Sequence, residues 1–389
     1  MARTKELLRK NSMLIALIFI IVLFEIVINV RSGSYLITPM NITNLINQNS
    51  YVVILACGML ICILSGGNID LSVGSQVVLI GALAGVFLID MRMNVWLAIG
   101  LCLLAGIGLG AWQGFWIAYM RIPAFIVTLA GMMTFRGMAQ LILGGFTKSP
   151  FREDFTRYFN SFLPGDRPEM RLPVALTAAG VICAVFIAAQ IIGRVRKIRK
   201  KYDVEKVAVT AVRTAVVCAV AMGIAYMLGL DRGIPVILIL LAAVVAAYSY
   251  YTKHTVPGRR LYAMGGNEKA AKLSGINTNR ILFFAYTNMG FLSALAALVC
   301  VARFRAATPS AGMGFELDAI GACFIGGASA YGGIGTIYGA VIGAVFMGVL
   351  NIGMSIAGMD QYWQSTIKGI VLLTAVVFDI MSRKRKQAA

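Results

Sequence analysis

A chain of 389 residues with 59% hydrophobic and 13% charged positions, and a mean hydropathy of +0.82, is not a soluble domain, in which charge occupies about a quarter of all positions. Its net charge of +19 would suggest nucleic acid in a soluble protein. Here the Lys and Arg fall in short loops and termini, where the positive-inside rule accounts for them and no nucleic-acid partner is called for. The expected fold is all-α and polytopic, within the membrane.

The first apolar run, residues 12–30, follows a basic flank but no small-residue cleavage site comes after it, so it reads as a retained span rather than a signal peptide. Glu25 is its only charge and should face the bundle interior. A second run covers 41–65, with Asn47, Gln48 and Asn49 near its outer end. A glycine-rich polar break, GGNIDLSVGS at 66–75, precedes a third span to about residue 88. Arg121-Ile122-Pro123 separates a fourth span, 95–119, from a fifth, 124–143, because the residue before proline avoids the helical region. Arg136 lies well inside the fifth, where a structural pairing is the favoured role.

Residues 144–171 are polar and of mixed sign, which fits an external loop. A sixth span, 172–192, ends in GRVRKIRKKYDVEK at 193–206, the strongest cytosolic mark in the chain. A seventh, 207–230, returns outward, and an eighth, 234–251, leads into a basic segment at 252–280. This segment reads as a handle held out into the cytosol. Gly265 and Gly266 allow a tight turn, Asn267 is a good N-cap, and Glu268 stands four residues before Lys272 in the favourable orientation. Gly275 supplies the stop. A helix of about two turns is marginal alone, so Ala270, Ala271 and Leu273 should dock on something.

A ninth span, 281–302, reaches an external segment holding Arg303, Arg305, Pro309, Glu316 and Asp318. The apolar stretch that follows is interrupted by GGASAYGGIGT at 326–336, leaving a short helix before it and a full one after it. A last span, 362–379, ends in a basic run at 383–386. About twelve transmembrane segments result, with both termini cytosolic. Lys368, Arg213 and Glu25 lie nearer span ends, where snorkelling or a local pair is expected.

The segment from Cys62 through the first break resembles the segment from Cys323 through the second: an apolar helix, Gly-Gly, a polar break, then a Gly/Ala-rich span. Glycine-broken segments in corresponding halves point to a transport path, whose lining would include Asn68, Asp70, Ser72 and Ser329. The competing account is plain close packing of small residues. The seven cysteines lie in apolar runs without a C-x-x-C pair, and the single histidine, His254, sits in a basic loop. No metal site, P-loop, H-E-x-x-H or nucleophile elbow is present, so no catalytic residue is assigned. A pore without a motor but with an organised cytosolic handle suits drive by a separate ATPase; a secondary transporter is the alternative, disfavoured by the lack of a carboxylate relay.

GGNEKAAKLSGI at 265–276 resembles the cytosolic coupling loop of the monosaccharide-type permeases of bacterial binding-protein-dependent ABC importers. NIDLSVGS at 68–75, PAFIVTL at 123–129, FRG at 135–137 and ELDAI at 316–320 with Gly326-Gly327 are similar to the same family's other signature stretches, in family order. The longer xylose and multiple-monosaccharide permeases are the nearest in pattern. Ribose-type members lack an equivalent of residues 172–230, which here read as an extra two-span insertion with a cytosolic basic loop. The resemblance implies a homodimer in the inner membrane, an extracytoplasmic sugar-binding protein and an ATP-binding subunit that itself binds the ATP, so that this chain needs no cofactor. It implies too that Glu268, Ala270, Ala271 and Gly275 sit in the ATPase groove.

Overall fold

The computed structural model describes residues 12–202 and 207–387. The basic N-terminal flank before residue 12, positions 203–206 of the basic loop and the side chains of the run 383–386 lie outside the described residues. The chain divides into two compact units, one of the chain up to Leu36, Gln48–Asn160 and everything from Ile239 on, the other of Ile37–Asn47 and Ser161–Leu238.

The protein is an all-α polytopic membrane protein. Its helices are α1 (Ser12–Ser32), α2 (Pro39–Leu64), α3 (Val73–Gly85, prolonged by a π turn, Val86–Asp90), α4 (Val95–Ala118), α5 (Ala124–Leu143), α6 (Glu153–Asn160), α7 (Pro168–Arg199), α8 (Val207–Leu230), α9 (Ile237–His254), α10 (Val256–Gly266), α11 (Glu268–Leu273), α12 (Thr278–Phe304), α13 (Phe315–Ile325), α14 (Ile337–Ile356) and α15 (Gln361–Gln387). Eleven of them, among the described residues, are long and apolar enough to cross a membrane. The expected twelfth crossing is α13, whose 11 residues span about 16 Å, roughly half of a hydrocarbon core. Its acidic first turn looked like an external segment in the sequence. Asp318 instead lies within the helix with its side chain 1% exposed, because a buried partner neutralises it.

In the first unit α12 is the central element, buried along most of its length. It packs on α4 backbone to backbone: a Cβ at Gly106 or Gly110 would fall within 3.0 Å of the α12 main chain at Gly290 or Tyr286. Small residues let two helices approach this closely where apolar lipid supplies no hydrophobic drive between them. Polar caps start the helices cleanly: Asn277 accepts from the Arg280 amide (3.0 Å) and Thr336 from the Gly339 amide (3.0 Å). Glu25 is half-buried and accepts from the Leu36 amide at 3.0 Å, fixing the chain that leaves α1.

Three non-helical stretches shape the interior. The break between α2 and α3 and the break between α13 and α14 lie against each other at Gly66, Gly67, Ala330 and Gly332. The Gly333 amide donates to the Leu64 carbonyl at 3.2 Å. A third stretch, residues 305–314, starts at the opposite end of the unit, where Ala307 and Lys148 exchange backbone hydrogen bonds of 2.9 and 3.0 Å. It then runs inward until Gly312 meets Gly74, backbone on backbone. Gly85, which lies against Lys148 and Ala307, is about 16 Å of helix away from Gly74. Irregular backbone thus enters α3's surroundings from both ends, an arrangement tolerated at membrane depth only when it is enclosed by protein or lines a cavity.

The second unit is a helical hairpin. α7 and α8 touch through Ala175, Ala179 and Ala225, and Gly229 lies against Leu172. Arg171 closes that end by donating to the Asp231 carbonyl at 3.0 Å. A two-residue antiparallel pair, β1 (Phe162–Leu163) with β2 (Ile234–Pro235), joins the segments that flank the hairpin.

Candidate functional site

The handle is two short helices clamped to the spans. Thr255 caps α10 by accepting from the Gly258 amide at 3.1 Å, and Asn267 caps α11 by accepting from the Ala270 amide at 3.0 Å. Gly275, at φ +79°, takes the left-handed turn that ends α11 at little steric cost. The apolar side of α11 divides in two. Ala271 is buried among Ala118, Met264 and Leu282; Ala270 is exposed and Leu273 is 90% exposed. Of the three residues expected to dock, Ala271 alone docks on this chain. Ala270 and Leu273, three positions apart, share a face of α11, and that face is the open one.

Glu268 is the knot of the clamp. It receives Arg121 (2.7 Å), Lys272 (3.0 Å) and the Thr278 hydroxyl (3.1 Å). Arg121 also donates to Thr278 at 3.1 Å and to the Asn279 side chain. It does so from a left-handed backbone, φ +58°, a conformation that non-glycine residues seldom hold without a compensating contact. Sequence reasoning treated Arg121 only as part of a span boundary. Both partners of the main ion pair are more than a third exposed, so each contact stabilises by under about 1 kcal/mol; the network's effect is positional. Partial burial acts to raise the Glu268 carboxyl, but the hydrogen bonds from Arg121, Lys272 and Thr278 together hold it below its ordinary 4.5. A depressed carboxyl stabilises the clamp above that value, and the contribution is lost as pH falls through the folded-state value. Protease cleavage at the handle should therefore be steady from neutral pH downward and rise only below 4.5. Glu268→Gln should remove the step, and a step persisting in that variant would assign it elsewhere.

A polar cleft of about 360 Å³ joins the clamp to both breaks, with Ser65, Asn68, Arg121, Gly265, Glu268 and Tyr331 among its walls. Gly265 forms its floor. A Cβ there would fall within 3.0 Å of the Leu64 carbonyl oxygen and of Gly333, so the end of α10 rests directly on the two breaks; Gly266 faces open space. Asn68 lines the cleft and donates to Ser65 at 3.3 and 3.4 Å.

Asp70 and Ser72 lie behind it, fully buried. Asp70 accepts from the Ser72 amide (2.8 Å) and hydroxyl (2.6 Å). The Ser72 hydroxyl in turn accepts from Gln76 (2.8 Å) and Gln113 (2.7 Å), linking the first break to α3 and α4. Neither glutamine was singled out from sequence. Ser329 is buried in the second break, where its hydroxyl accepts from the Tyr331 amide at 3.1 Å and its own amide donates to Ile334 at 2.8 Å. The four residues named as path lining thus fall in three settings: a cleft wall, a buried network and a turn.

Of the two roles expected for Lys368, the local pair forms, on a buried carboxylate. Lys368 of α15 lies 2.9 Å from the Asp318 carboxylate of α13, which also accepts from Tyr51 (3.1 Å) and Asn351 (3.4 Å). Helices α2, α13, α14 and α15 meet at that one carboxylate. Among the described residues, no group of three or more His, Cys, Asp or Glu is placed to hold a metal ion. Five cysteines are buried, while Cys183 and Cys218 are half-buried.

Over residues 41–376 the chain matches the family described as branched-chain amino acid transport system / permease component. The chain belongs to that family. The permease is 39% identical over 355 residues to the xylose transport system permease protein of Escherichia coli K12, covering 91% of this chain and 88% of that one. It is 36% identical over 381 residues to the xylose permease of Haemophilus influenzae, with 96% of each chain covered. With the ribose import permease of Escherichia coli K12 the identity is 34% over 376 residues, 97% of this chain and 95% of the other. No solved structure matches the permease.

Proposed function

We propose that the chain is the transmembrane subunit of an ATP-driven, binding-protein-dependent importer that carries a monosaccharide, xylose or a similar pentose or hexose, across the bacterial cytoplasmic (inner) membrane. The observation that carries the coupling part of this reading is α11. It is held to α12 and to the junction of α4 and α5 by the Glu268–Arg121–Thr278 network, while Ala270 and Leu273 face outward. A short helix that is fixed below and apolar above suits the groove of a partner. Gly265, Gly266, Asn267, Glu268, Ala270, Ala271 and Gly275 form the ATPase-coupling element in this reading, and Asn68, Asp70, Ser72 and Ser329 line or gate the path. ATP is bound by the partner subunit. A second copy of the chain, an extracytoplasmic sugar-binding protein and membrane lipid complete the assembly, with both termini cytosolic. The region 172–230 is an extra two-span insertion with a cytosolic basic loop. The choice of a sugar is supported by the xylose and ribose relatives, which agree with one another where the family description names amino acids.

Reconstitution in liposomes with an ATP-binding subunit and a loaded sugar-binding protein tests the reading. Leu273→Asp should lower sugar-stimulated ATP hydrolysis by about thirtyfold, the effect of losing an interface anchor worth about 2 kcal/mol, while the melting temperature of the isolated permease stays put. Full stimulation by that variant would remove α11 from the coupling role. The secondary-transporter reading gains one observation, the buried Asp318–Lys368 pair, since intramembrane ion pairs mark proton paths in such carriers. Xylose uptake by the permease alone under a proton or sodium gradient would select it.

A further inference from the structure

The hairpin of α7 and α8 is closed at one end and open at the other. Alanine and glycine contacts hold it together near Leu172 and Gly229, and toward Arg194 and Val207 the two helices line a cleft of about 380 Å³. Its walls are apolar, from Ile187 and Ile191 on α7 and from Val207, Ala211 and Ala215 on α8, with Arg194 at the mouth. Arg194 donates to Thr210 at 3.4 Å, which ties the guanidinium to the lining of the cleft. The helix α7 has 32 residues, about 48 Å, and outruns a hydrocarbon core of about 30 Å, so its last turns carry Arg194 and the residues after it into the headgroup layer. Residues 194–202 contain six basic and no acidic positions. An apolar slot within the bilayer that ends at a cluster of positive charge matches an acyl chain that ends at a phosphate.

We infer that this cleft is a binding site for an anionic phospholipid, with one acyl chain between α7 and α8 and the phosphate on Arg194 and the adjoining basic run. The occupant is a lipid because the slot lies along the spanning part of both helices and its mouth is complementary to phosphate. Purified, delipidated full-length protein is titrated with dioleoyl phosphatidylglycerol and with dioleoyl phosphatidylcholine and examined by native mass spectrometry. The glycerol lipid should be retained about tenfold more tightly, the equivalent of one to two basic side chains near a lipid surface. Arg194→Gln should narrow that preference, Ala215→Trp should expel both lipids by filling the slot, and Val220→Trp, on the far side of α8, should leave retention as it was. Equal retention of the two lipids overturns the proposal, as does a preference that survives in both Arg194→Gln and Ala215→Trp. Disulfide cross-linking of Ile191→Cys between copies, which would put a second protein chain in the slot, overturns it as well.

Discussion

Lys368→Met is expected to destabilise the permease by about 3–5 kcal/mol, because it leaves the buried Asp318 carboxylate without its countercharge. Asp318 has a side chain 1% exposed and Lys368 one 16% exposed, so water does not take over the lost contact. The double variant Lys368→Met with Asp318→Asn should recover most of the loss: the amide keeps hydrogen-bonding capacity toward Tyr51 and Asn351, and no uncompensated charge remains. Thermal unfolding of all three variants in one detergent closes a double-mutant cycle. A Lys368→Met variant as stable as the parent would mean that the carboxylate is solvated or protonated and that the pair does not hold α13 to α15.

Gly265→Ala is expected to abolish sugar uptake. The added methyl would fall within 3.0 Å of the Leu64 carbonyl and of Gly333, and these are backbone atoms that have no rotamer to change. Overpacking of this kind costs about 1–3 kcal/mol when the surroundings shift, and the shift here would separate α10 from the two breaks. Gly266→Ala, one residue on, meets nothing within 4 Å and should leave the melting temperature unchanged. The comparison uses one substitution chemistry at adjacent positions, so a lowered melting temperature at Gly265 alone would report the contact. Normal uptake by Gly265→Ala would show that the breaks do not need that seat.

The helical spans, both breaks and the short helix before the second were legible because hydropathy, glycine clusters and caps are local signals. The caps at Asn267 and Gly275 belong to the same class. What stayed hidden depends on contacts distant in sequence. Arg121 and Glu268 are 147 positions apart, and only the fold makes them neighbours. Asp318 stands beside Glu316 close to a glycine-rich turn, which in sequence has the look of a loop; its burial is decided by Lys368, fifty positions on. Gln76 and Gln113 are single amides within apolar helices, and nothing in their surroundings announces that both converge on the Ser72 hydroxyl. The sequence asks for a docking surface for α11 but does not say which of its apolar residues this chain covers: Ala271 is buried while Leu273 stays exposed.

The seat of α10 on Leu64 and Gly333 also has a mechanical meaning. At that junction main chain touches main chain on both sides of Gly265, so no flexible side chain stands between α10 and the two breaks to absorb motion. A contact of this kind is stiff in compression, as close-packed interiors are. Under the proposed coupling role, thrust delivered to the handle would reach the end of α2 and the turn before α14 in the same stroke. The two breaks would then share one degree of freedom, and a single push would set both.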